Sequence, residues 1–285
     1  MDRLIVLVAL TLSLSAFSTE KVIYGDDNRV DVYASTNSDF VSLSESTAAM
    51  IGKSSMRFNR SSKTYKIKAS TLGSRLNACS GERFASQPSA ANCSGFLVSD
   101  KYLVTAGHCI ENMSDCNKSH WVFNYKMNNE TDANMNIKEE NVYNCKKIIS
   151  RKLSSWDKND YALIELDRVV SNKRPLKFRK SGKINKGDKL VVIGHPSGLP
   201  TKIADGAYVK SLSGKYFSAN LDTYGGNSGS AVFNVATGEV EGILVRGAQD
   251  YVNNGGCRVS NRIGNDSGNG EDVTFITNIK ELRNL

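Results

Sequence analysis

From Cys79 onward the apolar residues fall into short runs broken by polar turns, and this pattern restricts the chain to β structure. Residues 95–98 and 102–104 flank a Ser99-Asp100-Lys101 turn. Further runs occupy 121–123, 161–164, 190–193 and 231–233, and Thr237-Gly238 turns the last of these into 240–245. Strands at this spacing predict barrels or sandwiches. Near the end Ile276, Ile279, Leu282 and Leu285 recur every three residues, which predicts a short C-terminal helix. The 285 residues suffice for one large domain or two small ones with sizeable cores.

Arg3 precedes the apolar run 4–10, and the small residues Ala16 and Ser18 close it. The run is too short to span a bilayer and predicts a secretory signal peptide over residues 1–18. Residues 19–49 then hold six acids against two bases, and residues 50–78 hold seven bases and no acid. This switch suggests a propeptide or an N-terminal arm over 19–78, with cleavage within 50–78, followed by the main domain over 79–285. The net charge of +8 is spread along the chain without a basic run interleaved with aromatics, so no nucleic-acid partner is expected. Stable membrane insertion is not expected either. Six cysteines fit export to an oxidising compartment, and without paired C-x-x-C spacing they predict no metal centre. Asn59, Asn92, Asn112, Asn117, Asn129 and Asn265 head sequons that could carry glycans in a host able to add them.

Three motifs carry chemistry. Thr105-Ala106-Gly107-His108-Cys109 follows directly on a predicted strand, so His108 can face a cleft with small neighbours around it. Asp160 stands immediately before the buried run Tyr161-Ala162-Leu163-Ile164. Ser228 is embedded in Gly225-Gly226-Asn227-Ser228-Gly229-Ser230-Ala231, where glycines permit a sharp turn and close approach of a substrate backbone. The amides of Gly226 and Ser228 can then point together at a developing oxyanion, an interaction worth roughly 3–4 kcal/mol per donor. A serine, a histidine and an acid are the parts of nucleophilic acyl transfer.

Together these motifs resemble those of trypsin-like serine peptidases, in their order His, Asp, Ser. T-A-G-H-C is close to the family's T-A-A-H-C, and Asn159-Asp160-Tyr161-Ala162-Leu163 is similar to its D-[IY]-A-L motif. The resemblance covers roughly residues 80–282. It implies an all-β fold of two six-stranded antiparallel β-barrels, divided near 167–185, with a short C-terminal helix. It also implies an endopeptidase acting on protein or peptide substrates without a cofactor; the signal peptide and cysteines predict a secreted enzyme, extracellular or periplasmic, and a monomer is expected. His108, Asp160 and Ser228 would form the triad, and Cys93 would pair with Cys109, sixteen residues on. For Cys79, Cys116, Cys145 and Cys257 three connectivities stay open, with Cys116–Cys145 favoured by neighbourhood alone.

Asn227 departs from the family's usual aspartate before the serine, and a neutral amide cannot pair with a new N-terminal ammonium. G-N-S-G-S, with Ile193-Gly194-His195-Pro196, instead resembles the bacterial glutamyl-endopeptidase branch. That branch places a histidine in the strand after the serine. Here residues 242–246 hold none, although Thr223 stands where its specificity threonine would be. Asp222 lies six residues before Ser228, where trypsin-like enzymes carry the acid at the base of the primary pocket. The substrate-binding set expected from the resemblance is therefore Asp222, Thr223, Val245 and Arg246. It predicts cleavage after Lys or Arg, with Glu specificity through Arg246 as the alternative, and a catalytically silent homologue acting as a binding module as a further one.

Overall fold

The computed structural model of the protein describes residues 22–247 and 249–285, so the expected signal peptide lies outside the described residues. The first elements are β1 (Ile23–Tyr24), β2 (Arg29–Asp31) and α1 (Ser38–Ser44). Asn37 caps α1 by accepting from the Asp39 and Phe40 amides. Next come β3 (Thr47–Gly52), β4 (Met56–Asn59), β5 (Thr64–Ile67) and α2 (Leu72–Leu76). The expected strands follow as β6 (Cys93–Leu97), β7 (Tyr102–Thr105), β8 (Ser119–Phe123) after α3 (Met113–Lys118), and, beyond β9 (Asn136–Lys138) and β10 (Val142–Leu153), β11 (Asp160–Leu166).

Six of these close a barrel in the order β10-β11-β7-β6-β3-β8. Its interior holds Phe96, Leu103, Trp121, Phe123 and Ile164, all without exposed surface. The chain's division at residue 79 is not a division of the fold. β3 lies in the supposed arm, yet it pairs with β6 (Thr47 opposite Phe96) and with β8 (Ile51 opposite His120). Its run Thr47-Ala48-Ala49-Met50-Ile51 is wholly buried. The charge switch conceals it, because the boundary between acidic and basic halves falls inside the strand. β4, β5 and β9 form a small sheet of their own.

The second barrel starts at β12 (Lys189–Gly194) and continues through β13 (Lys202–Leu212), β14 (Tyr216–Ala219), β15 (Ala231–Asn234) and β16 (Val240–Arg246). After the β17 (Tyr251–Asn254) and β18 (Cys257–Ser260) hairpin and the short β19 (Arg262–Ile263), β20 (Glu271–Phe275) completes it. The order β12-β15-β16-β20-β14-β13 closes through a β12–β13 pairing, and β2 adds a seventh strand outside β13. Phe217, Phe233 and Phe275 fill the core. Residues 276–278 and 280–284 are 3₁₀ rather than α-helical. The strict three-residue stripe explains this, since side chains at i and i+3 eclipse in a 3₁₀ helix. Ile276, Ile279 and Leu282 are buried, whereas Leu285 is exposed.

All three disulfides are formed: Cys93–Cys109, Cys116–Cys145 and Cys79–Cys257. The first two stiffen the first barrel. The third ties the chain after α2 to the β17–β18 hairpin of the second barrel, across 178 residues of sequence.

Candidate active site

β7 ends at Thr105, and the chain turns sharply so that His108 stands at the junction of the two barrels, with about a third of its side chain exposed. Gly107 permits the turn. A Cβ there would lie 2.1 Å from the Lys152 carbonyl and 2.8 Å from that of Tyr161. Asp160, the first residue of β11, grips the histidine twice: Oδ2 meets His108 Nδ1 at 2.8 Å, and Oδ1 accepts from the His108 backbone N–H at 3.1 Å. Burial opposes the Asp160 charge. The His108 hydrogen bond and the charges of His108 and Arg246 outweigh it and hold the carboxyl below its ordinary range.

Ser228 sits on the loop before β15 and reaches the same junction. Its carbonyl oxygen accepts from the Ser94 N–H at 2.8 Å and lies 3.6 Å from Sγ of Cys109, the residue after His108. The Cys93–Cys109 bridge therefore fastens the histidine turn to the strand on which the serine loop docks. Gly229 follows at φ +89°, and a Cβ on it would lie 2.1 Å from the Ser94 carbonyl. Within the loop, the Asn227 N–H donates to Tyr224 O and the Ser230 N–H to Asn227 O. Asn227 is buried and its amide oxygen accepts from Ser230 Oγ at 3.2 Å, so it serves the loop's own folding.

Ser94 is a residue that the sequence did not mark. It is fully buried in β6, donates its hydroxyl to Gly226 O at 2.8 Å and accepts from the His195 N–H at 3.0 Å. A small polar residue between a bridged cysteine and a glycine is the one signal that could have identified it. The other two histidines take no part in such chemistry. Both are buried, and desolvation pushes each down to about 4, so they are neutral.

The expected substrate-binding residues separate on inspection. Asp222 does not face the junction. Its Oδ1 accepts from the Tyr24 N–H at 2.8 Å and its Oδ2 from the Asn28 N–H at 2.9 Å, so both oxygens are spent on the N-terminal segment. Arg246 is engaged by groups of the protein itself. It donates to the Lys158 carbonyl and lies 3.5 Å from Asp160 and 3.7 Å from Asp272. Val245 is buried. Thr223 is buried too, and its hydroxyl donates to Glu271 Oε2 at 2.8 Å. Glu271 was invisible in the sequence, where it is one acid of a Gly-Glu-Asp turn before a strand.

The trypsin-like peptidase domain family matches residues 93–243, more than half of the chain. Among solved structures, a Glu endopeptidase in complex with MPD aligns over 92% of this chain and 98% of its own, with a TM-score of 0.51 and 17% identity. The VesB protease of Vibrio cholerae aligns over 90% of this chain and 65% of its own, with a TM-score of 0.54 and 15% identity. At such identities the likeness is one of fold. At the level of sequence, no curated protein matches the chain.

Proposed function

Because the chain belongs to the trypsin-like peptidase family, we propose that it is a secreted serine endopeptidase using Ser228, His108 and Asp160. The observation that carries this reading is the double grip of Asp160 on His108, beside the loop that presents Ser228. An imidazole held at Nδ1 and at its own backbone offers Nε2 in a fixed orientation and in one tautomer. Three disulfides with no free cysteine among the described residues support an oxidising destination.

In this mechanism Ser228 Oγ attacks the scissile carbonyl while His108 takes the hydroxyl proton. The tetrahedral oxyanion is received by the amides of Gly226 and Ser228. His108 returns the proton to the leaving amine as the C–N bond breaks, leaving an acyl-enzyme on Ser228. Water, deprotonated by the same histidine, then releases the acid product. Asp160 stabilises the imidazolium at each stage and stays ionised.

A fluorophosphonate probe tests the reading directly. It should label the wild-type protein and spare Ser228→Ala and His108→Ala, and both variants should lose proteolysis while keeping their fold. Asp160→Asn should lower kcat by about 10⁴-fold. Turnover within tenfold of wild type in the serine or histidine variant would remove the assignment.

A further inference from the structure

We propose that Arg246 is a positioning residue of the triad, acting through Asp160. It fixes that carboxylate against His108 and lets the imidazole serve as a base at lower pH than the His–Asp pair alone would. This rests on the serine-peptidase reading above. Arg246 closes β16, two residues beyond Leu244. The backbone of Leu244 is bonded to the serine loop on both sides, accepting from the Gly229 N–H at 2.8 Å and donating to Ser230 O at 3.0 Å. From this anchored strand Nη2 of Arg246 lies 3.5 Å from Asp160 Oδ2, the same oxygen that meets His108 Nδ1 at 2.8 Å. At 3.5 Å the guanidinium acts on Asp160 through its charge more than through a hydrogen bond. The Asp160 side chain is only 2% exposed, so little water screens that charge.

The guanidinium is itself held in place. Nη1 and Nη2 both donate to the Lys158 carbonyl, at 3.1 and 3.2 Å. Nη1 also lies 3.7 Å from Oδ2 of Asp272, the residue paired opposite Arg246 on β20. Lys158 presents its carbonyl from a left-handed conformation, φ +55°, which a residue with a side chain adopts only at a cost. Its ammonium turns away, to Asp272 at 3.3 Å and over the Tyr216 ring. On the β10 side, Arg151 donates to the Gly107 carbonyl at 2.8 Å and lies 4.0 Å from Glu111. The charges that act on the Asp160 carboxylate are those of His108 and Arg246, and they keep it ionised against its burial. Their signs decide the consequence. Asp160 favours a protonated imidazole, whereas the nearby guanidinium opposes a second positive charge. With Arg246 present, the base form of the site survives to lower pH. Without it, Asp160 would keep the proton on His108 up to higher pH.

The test measures the rate of fluorophosphonate labelling of the secreted enzyme as a function of pH. The probe has no amino-acid side chain for a subsite to recognise, so it reports Ser228 and His108 independently of substrate preference. Wild type should label, with a rate that falls on the acid side as the base is protonated. Arg246→Gln and Arg246→Met both remove the charge, and the second keeps an apolar stem in place of the arginine's own. Either suffices if the other fails to fold. Each should raise the pH of half-maximal rate by about one unit and lower the plateau about tenfold through lost positioning. Arg246→Lys should return the half-rate pH to within about 0.3 unit of wild type. Its plateau should stay lower, since an ammonium lacks the planar fork that meets a carbonyl and a carboxylate together. A merely structural role would lower the plateau and leave the half-rate pH in place. That result in a folded neutral variant overturns the proposal, as does a lysine variant displaced as far as the neutral ones. A wild type that the probe does not label would instead remove the serine-peptidase reading itself.

Discussion

Gly107 distinguishes this chain at the scale of single residues. The family resemblance has alanine at this position, and the consensus-guided expectation is that Gly107→Ala would stabilise a turn by removing glycine's excess freedom. The structure predicts the reverse. The added methyl would meet two backbone carbonyls, Lys152 O at 2.1 Å and Tyr161 O at 2.8 Å, and stand 3.1 Å from Asp160 Oδ1. Backbone cannot rotate away as a side chain can, so the histidine turn must shift. We expect a loss of about 1–3 kcal/mol in denaturant unfolding, and a displacement near 1 Å at His108 should cost about 100-fold in kcat/KM. A variant within threefold of wild type would show that the turn has more room. The candidate triad was legible in the sequence because each member sits in a short motif beside a strand. Ser94 and Glu271 were not legible. Their contacts are made to residues far away in the chain, 132 positions for Ser94 to Gly226 and 48 for Glu271 to Thr223.

At the scale of elements, apolar runs predicted the strands well, including β6, β7, β8, β11, β12, β15 and β16, because a strand of a closed barrel carries its own buried pattern. What the pattern could not give was direction. Asp222 stands at the position expected for a pocket carboxylate, yet the segment it belongs to points it at β1 and the start of β2. There its oxygens accept from two backbone amides, while burial pushes its carboxyl up to about 6. A raised carboxyl means that the folded state binds the proton more tightly than the unfolded state. The resulting stabilisation is full below about pH 4 and fades as pH rises through about 6. Asp222→Asn has no such titration. The stability difference between wild type and this variant should therefore move against wild type by on the order of 3 kcal/mol from pH 4 to pH 7. Urea unfolding at several pH values measures it, and parallel curves for the two proteins would mean that Asp222 titrates normally.

For the whole molecule, the decisive question is where the functional unit begins. Charge composition divides the leader at residue 50, yet the fold uses both sides of that division. Upstream, β1 pairs in parallel with β19 and β2 adds to β13. Arg29 is buried with its guanidinium 4.3 Å above the Tyr224 ring, four residues before Ser228, and is paired with Asp27 at 2.6 Å. Asp31 is paired with the buried Lys202 at 2.5 Å. Asp31, one of the acids that suggested a detachable propeptide, is thus the partner of a buried cation in the body, and removing the segment would break that pair. Breaking a buried pair from one side costs about 3–5 kcal/mol, because an uncompensated charge remains. Downstream, a cut within 50–78 followed by loss of the leader would also remove β3 and open the first barrel between β6 and β8. We therefore expect any maturation by removal of a segment to end at or before Val22, which is itself buried. N-terminal sequencing of the secreted, probe-labelled enzyme should find a start no later than Val22. A chain expressed from residue 79 should fail to fold or to label, since it lacks a barrel strand and leaves the buried Lys202 without Asp31. An active enzyme beginning between residues 50 and 79, with no leader fragment retained alongside it, would show that the barrel closes without β3 and would restore the propeptide boundary read from charge.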